Sequence, residues 1–266
     1  MPSAYSDILK RIDAALAAAR AVFDRFTPGA IAAEFKAGHD PVTEADREID
    51  AVLRKSLLRE DEGWLSEESV DDLTRLTKSH VWVVDPLDGT REFVKGIPEF
   101  CVSIGYVEDG SPVAGGIHNP ATNETFVGAI DAGVLYNGKP ARSSARTELK
   151  GAVVLASRSE MGRGEWKQFD NGQLQIQAMG SVAYKLARVS AGLADITFTL
   201  TPKNEWDVAA GAALVLSAGG MVSTLQSGSL RANNRNPLLS GLIASGPLIH
   251  QDLLAALSSH IEPASS

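Results

Sequence analysis

Residues 85–90 read Asp-Pro-Leu-Asp-Gly-Thr and follow the apolar run Val81-Trp82-Val83-Val84. Two carboxylates three residues apart therefore stand where a buried strand gives way to a glycine turn. Pro86 biases Asp85 toward extended backbone. Gly89 tolerates positive φ and lets an anion approach the main chain closely. Thr90 adds a hydroxyl and an N–H at a predicted helix start, where anions are favoured. Hard oxygen ligands beside a phosphate-sized nest are what Mg²⁺-dependent phosphoryl transfer requires. Taken alone, the segment reads better as an Asx-type turn capped by aspartates. Two distant segments change that reading.

The first is Trp64-Leu65-Ser66-Glu67-Glu68-Ser69, whose paired acids would by themselves be a solvated surface. The second, Glu205-Trp206-Asp207-Val208-Ala209-Ala210-Gly211, sets Asp207 at the start of an Ala-rich helix, where an N-cap role would also account for it. A divalent cation gathers carboxylates from separate segments, and Glu67, Asp85, Asp88 and Asp207 make up such a set.

The segments PVTEAD (41–46), LSEES (65–69), DPLDGTREF (85–93), GS (180–181) and WDVAAG (206–211) resemble the inositol monophosphatase family in order and spacing over nearly all 266 residues. The resemblance implies a Mg²⁺-dependent, lithium-sensitive phosphomonoesterase. In it Glu67, Asp85, Asp88, Asp207 and the backbone carbonyl of Leu87 bind two or three ions. It assigns Glu67 and Thr90 to holding or deprotonating the attacking water and places Asp46 beside the metal cluster. Asp46 also fits an acidic capping box with Thr43, and the two roles are compatible. The N–H groups of Gly89 and Thr90 would grip the phosphate, with Arg91, Ser157, Arg158 and Ser181 on the substrate. A second phosphate would need cations outside the metal cage, and Arg91 and Arg158 are the candidates.

The choice of ester is divided. Thr90-Arg91-Glu92-Phe93, Leu65-Ser66-Glu67-Glu68 and Ala156-Ser157-Arg158-Ser159 look like the 3′(2′),5′-bisphosphate nucleotidase branch, which turns adenosine 3′,5′-bisphosphate into AMP. Inositol phosphatases usually carry a glutamate seven positions before the WD aspartate, and here that position is Leu200. Gly96-Ile97-Pro98 and GSVAYKLARVSAG (180–192) lean the other way, and the Ser181-to-Lys185 spacing departs by one residue from the nucleotidase pattern. The nucleotidase is favoured. Inositol 1-phosphate, histidinol phosphate and fructose 1,6-bisphosphate are the alternatives, and a non-catalytic regulatory binding protein is the rival of another class.

Other chemistries fit less well. An aspartyl-phosphate route uses DxDxT, whereas here two residues separate the aspartates. No G-x-S-x-G elbow, P-loop or G-x-G-x-x-G fingerprint is present. The five histidines, at 39, 80, 118, 250 and 260, show no ligand spacing. Cys101, the single cysteine, sits in an apolar run and reads as a buried structural thiol.

With net charge −8 and basic residues scattered, the chain is unsuited to general nucleic-acid binding. No apolar run approaches membrane-spanning length and no secretory signal is evident, so a cytoplasmic protein is expected. Its partner is a small phosphorylated metabolite, and the resemblance implies a homodimer.

The elements that must position these residues are legible in outline. Ile8, Ile12, Leu16, Ala19, Phe23 and Phe26 recur in steps of three and four, predicting an amphipathic helix ended by Thr27-Pro28-Gly29. A second helix starts at Thr43 with Ile49, Val52, Leu53 and Leu57 on one face. Strand-like runs at 81–84, 101–107, 112–118 and 124–129, with turns at Asp109-Gly110 and Asn119-Pro120, predict an antiparallel meander. Tyr136 to Pro140 reads as a further turn. The second half mixes strands near 152–156, 195–200, 221–224 and 242–245 with helices near 181–191 and 206–218, the latter closed by Gly219-Gly220. Composition supports mixed α/β. The resemblance implies a layered α-β-α-β-α sandwich, with an N-terminal α+β domain (1–145) carrying most metal ligands and a C-terminal α/β domain (146–266) contributing Asp207.

Overall fold

A computed structural model describes residues 3–35 and 41–260, and His39 lies outside them. The first sheet has seven strands in sequence order: β1 (Gly63–Ser66), β2 (His80–Asp88), β3 (Cys101–Glu108), β4 (Ser111–Asn119), β5 (Glu124–Ala129), β6 (Gly133–Tyr136) and β7 (Lys139–Ala141). β1 is parallel to β2, and each later neighbour is antiparallel. The expected meander is present and is longer than expected. The Tyr136–Pro140 stretch is the tip of the β6–β7 hairpin, where Asn137 and Gly138 both take positive φ, as a twisted two-residue hairpin turn requires.

Among the described residues, seven α-helices complete the frame: α1 (Ser6–Phe23), α2 (Glu44–Leu57), α3 (Thr90–Val94), α4 (Arg158–Gly162), α5 (Val182–Ser190), α6 (Glu205–Ser217) and α7 (His250–Leu257). α1 stops at Phe23, short of the expected Phe26, which packs against the core from beyond the helix. Side-chain alternation along β2 sends Trp82 and Val84 to one face and Val81 and Val83 to the other. The first face is covered by Ile12, Leu16 and Phe23 of α1 and Ile49 and Leu53 of α2.

The second sheet has the order β9-β8-β10-β12-β11, formed by β8 (Val153–Ser157), β9 (Gln175–Met179), β10 (Ile196–Thr199), β11 (Met221–Ser223) and β12 (Leu242–Ser245). β8 is parallel to β9 and β10, whereas β12 is antiparallel to β10 and β11. β9, α4 and α7 had no clear periodic signal. Trp166, Phe169 and the apolar side of α7 cover the outer face of this sheet.

Between the sheets lie α5 and α6. α6 is apolar all round, as a helix buried on every side must be. Its Ala210 and Leu214 pack on Cys101, Ile117 and Phe126, while Val208, Ala212 and Val215 pack on Leu155 and Ala244. The layers are therefore α-β-α-β-α, as expected. The first sheet ends at Ala141 and the second begins at Val153, either side of the expected boundary, yet α6 from the second half seats directly on the first sheet. That seat depends on small residues. A Cβ on Gly105 would lie 2.8 Å from Ala210 N, and one on Gly115 would lie 2.5 Å from Ala210 O.

Candidate active site

The parallel register of β1 and β2 pairs Ser66 with Val84, so Glu67, just past the end of β1, stands beside Asp85 within β2. The Glu67 N–H donates to Val84 O at 3.3 Å. Asp207 arrives from the first turn of α6, between the sheets. One carboxylate oxygen from each of Glu67, Asp85 and Asp207 lies within 4.8 Å of the other two. Asp88 and Thr90 line the same cleft, of about 230 Å³.

Each acid is also held by local backbone chemistry. β2 runs on through Asp88 with its register broken between Asp85 and Asp88, so the strand does not end at the first aspartate. Asp85 Oδ1 accepts the Leu87 N–H at 2.9 Å, so the Asx turn coexists with a metal-facing role. Asp207 is not the N-cap of α6 but its third residue, forming a capping box with Asn204, whose N–H it accepts at 3.0 Å. Asp88 faces differently: its Oδ2 accepts from Ser181 Oγ at 2.7 Å and from Ala183 N at 2.6 Å, which docks α5 onto β2. Ser181 bears this at φ 56°, a conformation rare for a non-glycine residue and common at functional sites.

Helix α2 aims two carboxylates at the site loops from successive turns of one face. Asp46 closes the predicted capping box, accepting from Thr43 N and Oγ1 at 2.7 and 2.6 Å, and its other oxygen lies 3.0 Å from Thr90 Oγ1. That hydroxyl also lies 2.9 Å from the Leu87 carbonyl. The capping role expected of Asp46 is thus present, and its second oxygen meets Thr90 at the cleft wall. Four residues on, Asp50 accepts from Ser66 Oγ at 2.5 Å and Ser69 Oγ at 2.6 Å, clasping both sides of the Glu67-Glu68 pair.

Gly89 caps α3 at φ 97°, with Thr90 as first helical residue as expected, and a Cβ there would lie 2.7 Å from Glu99 O. Ser157 caps α4 through Glu160 N. Arg91, Ser157, Arg158 and Ser181 all line the cleft. Arg158, however, donates from Nε and Nη2 to the Glu99 carboxylate, at 3.0 and 2.5 Å. Glu99 also takes the Gly180 N–H at 2.7 Å. Of the two arginines expected at a second phosphate, Arg158 is therefore already paired, and Arg91 lines the cleft. Leu200 packs with the aromatic cluster outside the second sheet, away from the cleft.

Burial, followed by repulsion from Glu67, Asp88 and Asp207, pushes the Asp85 carboxyl well above its ordinary value. Asp207 is raised by burial and then by Asp88 and Glu67. Asp88 is raised by burial as well, against the hydrogen bonds from Ser181 and Ala183 and the nearby Lys185 and Lys203. Buried, mutually repelling oxygens with no soft donor among them fit a hard divalent cation, which removes both penalties at once. Glu67, Asp85 and Asp207 are the residues that would hold it, with Asp88 and the Leu87 carbonyl adjacent.

Lys203, Glu160, Glu99 and Asp50 escaped the sequence reading, and Lys185 was noticed only for its spacing. Lys185 carried a usable signal, a lysine among Ala183, Leu186 and Ala187 on the buried side of a helix. The others offered none, because their partners lie tens of residues away. Cys101 is buried beside Ser181 and its thiol is pushed up by burial, as expected of a structural cysteine. Among the described residues no helix is long and apolar enough to cross a membrane.

The family model for the inositol monophosphatase family matches residues 5–262. A protein of Thermotoga maritima named fructose-1,6-bisphosphatase/inositol-1-monophosphatase is 32% identical over 226 residues, 84% of each chain. An inositol-1-monophosphatase of Rhizobium meliloti is 33% identical over 216 residues, 78% of each. Among solved structures, inositol monophosphatase from Anabaena (Nostoc) sp. PCC 7120 has a TM-score of 0.79 at 28% identity, covering 98% of this chain and 99% of that one. CysQ from Bacteroides thetaiotaomicron, described as a bacterial member of the same family, has a TM-score of 0.76 at 26% identity, covering 91% and 98%.

Proposed function

From the premise that this chain belongs to the inositol monophosphatase family, whose members are phosphatases, we propose that it hydrolyses a small phosphate ester with Mg²⁺, and that a nucleoside 3′,5′-bisphosphate is the substrate. The observation that carries the phosphatase reading is the convergence of Glu67, Asp85 and Asp207 from β1, β2 and α6. Bound Mg²⁺ supplies Lewis-acid neutralisation of phosphate charge and an acidified water.

The chain's own groups do the rest. Asp46, anchored by Thr43, fixes the direction of the Thr90 hydroxyl, whose remaining lone pair can hold a water at the cleft wall. Glu67, at the loop rim, takes the proton from that water. The N–H groups of Gly89 and Thr90 bind the phosphate oxygens where no side chain intervenes, and Ser181 holds Asp88 in place.

One observation supports a bisphosphate: Lys185 and Lys203 line the cleft. The inositol reading is favoured by the names of the relatives, one of which is also named a fructose-1,6-bisphosphatase. Turnover of adenosine 3′,5′-bisphosphate, inositol 1-phosphate, fructose 1,6-bisphosphate and histidinol phosphate, measured side by side with Mg²⁺, tests the assignment. Fastest turnover of the nucleotide is expected, and preference for inositol 1-phosphate would reassign the substrate. The proposal extends to two or three ions, lithium inhibition and a cytoplasmic homodimer, the dimer being checked by light scattering.

A further inference from the structure

We propose that Lys203, held in place by Glu160, forms with Lys185 the subsite that receives the substrate's second phosphate. This rests on the phosphatase reading of the same cleft and assigns its second anion to named groups. Lys203 stands just before α6 and lines the cleft. Its ammonium donates to Glu160 Oε1 at 3.0 Å and Thr201 Oγ1 at 3.1 Å, which leaves one N–H for a ligand.

Glu160 is built to hold that ammonium. It is buried, and its Oε1 also accepts from Thr199 Oγ1 at 2.7 Å and Thr201 Oγ1 at 2.8 Å, while Oε2 accepts the Trp166 indole N–H at 3.1 Å. Burial opposes its ionisation, but Lys203, Thr199 and Thr201 outweigh it and hold the carboxyl down at about 2. Lys203 is thereby fixed before substrate arrives, which lowers the ordering cost of recognition.

Lys185 is the complementary half. It is 4% exposed, and among the described residues its ammonium makes one long hydrogen bond, 3.5 Å to Met179 O. A buried ammonium with unused N–H groups is unfavourable until an anion meets it. Burial lowers its proton affinity and Asp88 opposes that. Arg158, on the same wall, is engaged by Glu99 through Nε and Nη2 and so is less free to take the role. Both ammoniums line the same cleft as the metal-facing carboxylates, so an anion that meets them suits a metabolite that carries a second phosphate beside the reacting ester.

The test compares adenosine 3′,5′-bisphosphate with adenosine 3′-monophosphate, which differ only in the second phosphate. For Lys203→Met the loss in kcat/KM should be about tenfold to a hundredfold larger on the bisphosphate, the effect of one charge-assisted contact. Lys203→Arg should recover part of it. Glu160→Gln should raise KM for the bisphosphate more than it lowers kcat. Independently of turnover, AMP should raise the melting temperature of the chelator-treated protein, and Lys203→Met should remove that shift. Equal losses on both substrates, or an AMP shift unchanged in Lys203→Met, would overturn the subsite. Wild-type turnover of inositol 1-phosphate with none of the bisphosphate overturns it too while leaving the phosphatase reading intact. No turnover of any phosphomonoester would remove that reading itself.

Discussion

At Asp85 the burial that a structural core prefers and the charge that a catalyst needs are in direct conflict. Its raised proton affinity means that the metal-free fold ionises it less readily than the unfolded chain does. Stability of that fold therefore falls as pH rises from the ordinary carboxylate range toward the raised value. A neutral isostere removes the repulsion. Asp85→Asn should melt no lower than wild type in chelator, while Mg²⁺ raises the melting temperature of wild type and not of the variant. A variant that melts well below wild type without metal would show that Asp85 stabilises the fold through contacts rather than straining it. Asp88→Asn keeps the acceptor that docks α5, so the fold should persist and turnover should not. Asp50 acts at one remove. Asp50→Asn can satisfy only one of the Ser66 and Ser69 hydroxyls as acceptor, and losing one such bond, about 1 kcal/mol, should weaken the Mg²⁺ titration midpoint roughly fivefold. A midpoint equal to wild type would confine Asp50 to local structure. Glu160 titrates in the opposite sense to Asp85. Its lowered value contributes stability above the ordinary carboxylate range that is lost as pH falls toward about 2. The urea-stability gap between wild type and Glu160→Gln should accordingly be wide at pH 7 and nearly closed at pH 2.

Among elements, α6 carries the most consequence, because its first turn holds Asp207 and its body rests on β3 and β4. Gly105 and Gly115 let the helix approach the sheet closely, and neither has room for a methyl without moving backbone. Gly115→Ala should cost about 1–3 kcal/mol in urea unfolding, the usual scale for overpacking. It should also weaken Mg²⁺ binding, since lifting α6 separates Asp207 from Glu67 and Asp85. A destabilised variant with an unchanged metal midpoint would mean that Asp207 is placed by its capping box alone. α2 works from the opposite side of the first sheet through Asp46 and Asp50, so the loops after β1 and β2 are pinned from both faces.

For the molecule as a whole, the cleft lies where the two sheets meet the middle helical layer, and neither half contains a full set of ligands. Activity should therefore vanish in chelator and return with Mg²⁺. Lithium should inhibit at tens of millimolar, about that order for a small, strongly hydrated cation competing at a hard-oxygen site. Full activity in chelator would end the shared-site account, whereas lithium insensitivity would leave catalysis standing and remove only that branch assignment.

What the residues determined by themselves was local. A 3.6 periodicity marked α1 and α2, because one buried face imprints its spacing on the chain, whereas α6 and the meander, buried on more than one side, showed as apolar runs bounded by turn residues. The acids and the Gly89-Thr90 turn were legible because their types and order are unusual across three short, separated segments. Tertiary structure alone decided that Asp88 would face Ser181 while Glu67, Asp85 and Asp207 closed on one another. It also decided that Arg158 would be taken by Glu99, and that Lys203 would be held by a glutamate 43 residues upstream. Such pairings depend on the β1–β2 register and on the seating of α6 against two glycines. Those are sums of long-range contacts, and no local pattern in the chain encodes them.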